Sequence, residues 1–326
     1  MKSISVIGAG TWGTALSVLL AEKGFDIRLW ARREELAESI RKEGENSKYL
    51  PGIKIPRNVA AYSSAKDAAK GSDAWIIAVP SQFFRRTITG FQRHLANQIV
   101  VSAIKGLEYP ECKLMSQIAS EELGSRVRFA VISGPNHARE ISQKKPTACV
   151  VARNEGKTSA EVAKLISTHY FKAYRHNDVA GVEICGALKN VYAITSGVCD
   201  GFNLGNNAKA SMITLSLTEM SAFSRQLGAK RSTVYGLAGV GDLIVTCSSR
   251  LSRNWFVGYS LASGKKLEEI KKDMGGMVAE GIIAAKSVYE KSIKYNLKLP
   301  LLRGTYEILF KNKTAADAID DIMRLI

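Results

Sequence analysis

The chain has 326 residues, 46% of them apolar and 23% charged, the balance of a globular protein with length for about two domains at roughly 150 residues each. That balance excludes a disordered or fibrous chain, and no apolar run approaches the ~18–20 residues a membrane helix needs. The net charge of +16 fits anionic partners, but the basic residues form no aromatic-interleaved stripe, so small phosphorylated ligands are expected and neither nucleic acid nor membrane insertion is.

Residues 3–7 read as a short strand, and Gly8-Ala9-Gly10-Thr11-Trp12-Gly13 follows it. Ala15, Leu16, Leu19 and Leu20 then share one face of a helix that Gly24 can end, and residues 27–30 form the next strand. Residues 74–79, 99–103 and 129–132 predict three more strands, each running into a loop: Pro80-Ser81, Lys105-Gly106 and Ser133-Gly134-Pro135-Asn136. Apolar on both faces, such strands belong in a largely parallel sheet flanked by helices. Residues 148–152 and 171–174 are further strand candidates. Beyond Ala180 helical patterns take over, at residues 182–196, 208–227, 278–295 and 314–325, with no period-2 alternation. A boundary near residues 179–183 is therefore expected, dividing the chain into 1–181, an α/β domain, and 182–326, an all-helical C-terminal domain.

Gly8, Gly10 and Gly13 fit the pattern GxGxxG in the context that gives it meaning, after a strand and at the start of a helix. Gly8 permits a tight turn, Gly10 lets backbone approach a pyrophosphate, and Gly13 permits close packing of helix on strand. The helix N-terminus adds free N–H groups for the phosphates. The N-terminal domain is thus expected to be a Rossmann-like dinucleotide-binding domain. An NAD-selective site usually has an acidic residue at the end of the second strand; this chain has Trp30-Ala31-Arg32-Arg33. Two guanidinium forks suit a ribose 2′-phosphate, so NADP(H) is favoured. If the pair is only solvated, NAD(H) serves equally well.

The five cysteines (Cys112, Cys149, Cys185, Cys199, Cys247) are odd in number and widely spaced, without a CxxC pair, and the four histidines contain no HxxxH pair. No disulfide framework and no metal site is expected. The sequence passes from Met1-Lys2 straight into a patterned strand without the regions of a secretory signal, so a cytoplasmic location is expected.

Lys189 is the only charged side chain between Ile184 and Cys199, among small and apolar neighbours. It is either a partly desolvated proton-transfer group or a lysine whose stem carries its charge to the surface. The glycine-dense stretch Gly236-Leu237-Ala238-Gly239-Val240-Gly241-Asp242 delivers one carboxylate, Asp242, which could orient an active lysine. Ser252-Arg253-Asn254 offers a hydroxyl, a guanidinium and an amide, a set suited to a substrate phosphate. The plainer alternatives are an ordinary turn and an ordinary helix cap.

These motifs together resemble the NAD(P)-dependent sn-glycerol-3-phosphate dehydrogenases of the bacterial biosynthetic type, over essentially the whole chain. The matching segments are GAGTWGTAL from Gly8, YLPG from Tyr49, VPS from Val79, KGLE from Lys105, SGPNHARE from Ser133, GALKNVYAI from Gly186, GLAGVGDLIVTC from Gly236 and SRN from Ser252. The resemblance implies reversible reduction of dihydroxyacetone phosphate to sn-glycerol 3-phosphate with NAD(P)H, supplying the phospholipid backbone precursor, and a homodimer. It implies that Lys189 is the acid–base, that Lys105 lies near cofactor and substrate and polarises the carbonyl, and that Asp242 holds Lys189. It assigns Gly134, Asn136, Ser252, Arg253 and Asn254 to substrate, the last two to its phosphate. It assigns Thr11, Trp12, Arg32, Arg33, Tyr49, Lys105, Ala138, Arg253, Val278 and Glu280 to the cofactor. Where the family pattern commonly has Ser or Thr followed by Phe, this chain has Asn136-His137, a change that bears on packing near the nicotinamide.

Three other readings compete. They are a related Rossmann dehydrogenase acting on another hydroxy acid or sugar phosphate, a non-catalytic NAD(P)H sensor, and a nucleic-acid binder resting on the +16 charge alone.

Overall fold

The computed structural model describes residues 1–124, 127–153 and 156–323. Its first strand, β1 (Ser3–Ile7), is buried from Ile4 to Ile7 and leads through the glycine turn into the helix Thr11–Glu22. That helix ends as its sequence requires: Gly24 takes φ +88° and its N–H bonds the Ala21 carbonyl at 2.9 Å. The chain continues through β2 (Asp26–Trp30), the helix Glu34–Glu43, a small antiparallel hairpin of β3 (Glu45–Asn46) and β4 (Leu50–Lys54), and β5 (Val59–Tyr62). Then come β6 (Ala74–Ile77), β7 (Ile99–Ser102), β8 (Arg128–Ser133), β9 (Thr147–Ala152) and β10 (Phe171–His176).

Eight strands form one sheet in the order β10-β9-β8-β7-β6-β1-β2-β5. All neighbours are parallel except β8 and β9, which pair antiparallel with Ile132 opposite Val151. The chain winds from β1 outward to β2 and β5, then returns to place β6 on the other flank of β1, with Val6 opposite both Leu29 and Ile76. This reversal opens a crevice at the carboxyl ends of β1 and β6, the place where doubly wound sheets bind ligands. Helical cover on the sheet explains why its central strands β1, β6, β7 and β8 are nearly all buried: Ile4, Val6, Leu16, Leu19, Ile27 and Ile76 belong to one buried cluster.

The described chain divides into two compact units. One contains Met1–Ile104 and the described part of Met115–Val179; the other contains Lys105–Leu114 and the described residues from Ala180 onward. Among the described residues no strand follows β10, and the second unit is built around the helix Val179–Gly201. Residues 181–199 are all buried, which is the signature of a central helix with apolar residues on every side. The helix Arg253–Ala262 crosses it nearly backbone to backbone. A Cβ at Gly197 would lie 2.0 Å from the Trp255 carbonyl oxygen, and one at Gly258 would lie 1.8 Å from that of Ile194. Only glycine fits at this crossing.

The predicted strands are all present, with β6 and β7 ending one or two residues early and β9 and β10 slightly longer. Of the predicted helix 314–325, Ala315–Met323 is observed, and Leu325 lies outside the described residues. The hairpin β3–β4, strand β5 and the helices Arg253–Ala262, Leu267–Asp273 and Pro300–Phe310 carried no sufficient local pattern. In Arg253–Ala262, Gly258 interrupts the apolar periodicity for the sake of the crossing. Among the described residues no helix is long and apolar enough to cross a membrane.

Candidate active site

The first unit builds a candidate phosphate cradle. Gly8 has φ +121°, and a Cβ there would lie 2.6 Å from the Ala78 carbonyl oxygen, so the turn is seated against the end of β6. A Cβ at Gly13 would lie 1.8 Å from the Gly8 carbonyl oxygen; its absence lets the helix meet the turn. Gly10 differs. Its φ is −78°, open to any residue, and a Cβ would meet nothing within 4 Å. No side chain caps the helix that follows, so its first N–H groups are available to an anion. The indole Nε1 of Trp12 is buried without a hydrogen-bond partner. Open space at Gly10, an uncapped N-terminus and an orphaned donor fit a dinucleotide pyrophosphate.

Beside this cradle, Arg32 and Arg33 follow the carboxyl end of β2 and are exposed. Arg33 donates to the Tyr49 hydroxyl at 3.3 Å, and the Arg32 guanidinium lies 5.6 Å from the centre of the exposed Phe83 ring. Asn46, fully buried, donates to the Ala9 carbonyl at 3.0 Å and to Thr14 Oγ1 at 2.8 Å, while its Oδ1 accepts from the Tyr49 N–H at 3.3 Å. The β3–β4 hairpin thus ties the glycine turn and the arginine pair to one support. Neither Asn46 nor Phe83 was singled out from sequence. Phe83 follows the Val79-Pro80-Ser81 motif by two residues, which is a usable signal; nothing local marks Asn46.

Elsewhere in this unit, Gly134 (φ +142°) packs against β9, where a Cβ would lie 2.9 Å from Cys149 Cα. Asn136 is buried, and Ala138 opens the helix Ala138–Ser142, which packs on Thr11–Glu22.

The second unit brings Lys105, Lys189 and Asp242 together. The Asp242 carboxylate, 1% exposed, accepts from Lys105 Nζ at 2.7 Å through Oδ2 and pairs with Lys189 Nζ at 3.1 Å through Oδ1. Lys189 also donates to Thr246 Oγ1 at 2.9 Å, and Thr246 donates to the Asp242 carbonyl at 2.6 Å. Burial pushes the Asp242 carboxyl up, but the ammonium groups of Lys105 and Lys189 outweigh it and hold it below the usual carboxylate range. Asp242 is therefore an anion at neutral pH. Two cations on one buried carboxylate leave the cluster with net positive charge, suited to an oxygen that gains negative charge. Lys189 is buried in this ion pair and does not carry its charge to the surface.

Asn190 fixes the cluster from behind. It donates to the Lys105 carbonyl at 2.8 Å, and its Oδ1 accepts from Asn254 Nδ2 at 2.8 Å. Asn254 Oδ1 in turn accepts from the Gly281 N–H at 2.9 Å, which draws the segment of Val278 and Glu280 alongside. Asn254 is buried in this chain of amides, while Arg253 is exposed beside it at the start of its helix. The Ser252 hydroxyl caps that helix by accepting from the Trp255 N–H at 3.2 Å. Thr246 and Asn190 were also missed in sequence, although Thr246 stands one helical turn after Asp242 and Asn190 directly follows Lys189.

A doubly wound dinucleotide-binding sheet joined to a helical unit with a buried lysine–aspartate–lysine cluster defines the Rossmann-type dehydrogenase class. Residues 3–159 match the NAD-dependent glycerol-3-phosphate dehydrogenase N-terminus and residues 178–320 match the C-terminus of the same family. The chain belongs to the NAD-dependent glycerol-3-phosphate dehydrogenase family. It is 42% identical over 323 residues to a glycerol-3-phosphate dehydrogenase [NAD(P)+] of Chlorobium phaeobacteroides, spanning 98% of this chain and 96% of the relative. It is 39% identical to the enzyme of the same name from Bacillus cytotoxicus, spanning 99% and 95%. The crystal structure of glycerol-3-phosphate dehydrogenase from Coxiella burnetii superposes with a TM-score of 0.95 at 35% identity, covering 99% of this chain and 98% of that one.

Proposed function

We propose that this chain is an NAD(P)-dependent glycerol-3-phosphate dehydrogenase that reversibly reduces dihydroxyacetone phosphate to sn-glycerol 3-phosphate. The observation that carries the reading is the Lys105–Asp242–Lys189 cluster in a chain whose two halves both match that family. When bound, the nicotinamide cofactor supplies the hydride for the carbonyl carbon. Lys189 gives its proton to the carbonyl oxygen, and in the reverse direction takes it from the hydroxyl. Lys105 adds positive charge at the same oxygen, and Asp242 holds both ammonium groups in place. Ser252, Arg253 and Asn254, with Gly134 and Asn136, hold the substrate, and a phosphate gripped by Arg253 contributes binding energy remote from the reacting carbon.

The cradle at Gly8–Gly13 and Trp12 holds the pyrophosphate, with Thr11, Ala138, Val278 and Glu280 in further cofactor contacts. Arg32 and Arg33, braced by Phe83 and Tyr49, read a 2′-phosphate, so NADPH is preferred over NADH. The working form is a homodimer in the cytoplasm, delivering the glycerol phosphate backbone of phospholipids. The family match of both halves favours this reading over dehydrogenases of other hydroxy acids, and the buried lysine cluster favours an enzyme over a sensor.

The test is oxidation of NADPH, and separately NADH, with dihydroxyacetone phosphate as substrate and dihydroxyacetone as control. Turnover that requires the phosphate is expected. Absence of turnover alongside intact cofactor binding overturns the assignment of substrate.

A further inference from the structure

The helical unit holds an open cavity of about 280 Å³, apart from the Lys189 cluster. Thr218, Ser221 and Arg225 share one face of the helix Gly205–Gln226 and line it, together with Ser224, Arg231 and Tyr235. The remaining wall is two alanines, and no acidic side chain lines the cavity. Arg225 and Arg231 are exposed and enter no ion pair among the described residues; Arg231 lies 5.9 Å from the centre of the Tyr235 ring. Ser224 is 1% exposed, and its Oγ has no hydrogen-bond partner. A buried hydroxyl without a partner is costly and rare in folded proteins, so it marks a place where something else completes the bond.

Two forked guanidiniums, four hydroxyls and no carboxylate make the donor set of a phosphate dianion. The volume is below the ~300–1,000 Å³ of pockets for drug-sized ligands, which matches a compact ligand such as a three-carbon phosphate. We propose that this cavity is a binding site for a small phosphate monoester, with inorganic phosphate as its minimal occupant. Tyr235 directly precedes the glycine segment that ends at Asp242, and a Cβ at Gly239 would lie 1.9 Å from the Val234 carbonyl oxygen. The cavity therefore adjoins the backbone that delivers Asp242 while sharing no side chain with the cluster.

The experiment is calorimetric titration of the full chain with inorganic phosphate and with sn-glycerol 3-phosphate at constant ionic strength. It uses wild type, the double variant Arg225→Ala/Arg231→Ala, and the charge-preserving Arg225→Lys/Arg231→Lys. Wild type is expected to bind glycerol phosphate at two sites per chain. The alanine variant should lose one site, or weaken it at least ~10-fold, the effect of losing one charge-assisted contact, with catalytic turnover unchanged. The lysine variant should bind between the two. A second site absent from wild type, or equally tight in the alanine variant, overturns the proposal. So does a lysine variant equal to wild type, since that result means diffuse charge alone. Because phosphate binding is read directly, loss of the site in an inactive protein would still support the cavity while refuting the proposed reaction.

Discussion

Gly10 and Gly13 stand three residues apart in one motif, yet the structure predicts opposite consequences for the same substitution. At Gly10 a Cβ meets no protein atom within 4 Å and the backbone is already in a conformation alanine adopts. Alanine there loses roughly 0.5–1 kcal/mol as a helix cap and regains about 0.4–1 kcal/mol by restricting the unfolded chain. Gly10→Ala should therefore leave stability within about 0.5 kcal/mol of wild type. The added methyl would occupy the space through which a pyrophosphate oxygen reaches the helix N–H groups. Losing one hydrogen bond to a charged group costs about 1.5–3 kcal/mol, so the cofactor dissociation constant should rise about 10- to 100-fold. At Gly13 the Cβ would lie 1.8 Å from the Gly8 carbonyl oxygen, and helix and turn must separate, at a cost of about 1–3 kcal/mol or more. Thermal melting and cofactor titration by nicotinamide fluorescence on both variants separate the two roles. A Gly10→Ala protein that melts normally and binds cofactor normally would show that no phosphate approaches Gly10, and the cradle would have to lie elsewhere.

Lys189→Ala should lower turnover by at least the ~10²–10⁴-fold of a lost general acid, while Asp242 keeps its 2.7 Å pair with Lys105 and the fold persists; turnover within a few-fold of wild type refutes the role. Replacing Arg32 and Arg33 together with alanine should raise KM for NADPH far more than KM for NADH, and equal losses would mean that neither arginine reads the 2′-phosphate. Glu219 provides a pH test away from the reaction. Its carboxylate is buried, accepting from the Leu301 and Leu302 N–H groups at 2.7 and 3.1 Å and from the Tyr192 hydroxyl at 3.1 Å. Burial outweighs these donors and pushes its pKa from 4.5 up to about 7. A raised carboxyl stabilises the fold fully below its unfolded value and loses that contribution as pH rises through its folded value, a swing of about 3 kcal/mol. Denaturant melts should thus show the stability difference between wild type and Glu219→Gln shifting against wild type between about pH 4.5 and 7; a pH-independent difference refutes the shift.

What the residues determine alone is local. β1, the glycine turn and the helix capped by Gly24 are legible because alternation, helical period and glycine conformation act within a few residues. The helical character after Ala180 is legible for the same reason, and so is the oddity of a lone charge at Lys189. The meeting of groups far apart in the chain is decided only by packing. Lys105 leaves the end of β7 and joins the second unit, where the Asn190 amide holds its carbonyl and the Asp242 carboxylate holds its ammonium group. No periodicity encodes a contact spanning 137 residues. Asn46 reads as a loop residue until the hairpin folds it beneath the glycine turn, and nothing local in the sequence shows that Asn254, expected at the substrate phosphate, also donates to Asn190. Short-range pattern specifies the elements; close packing between them, which depends on every side chain at the contact, specifies which polar groups share a buried site.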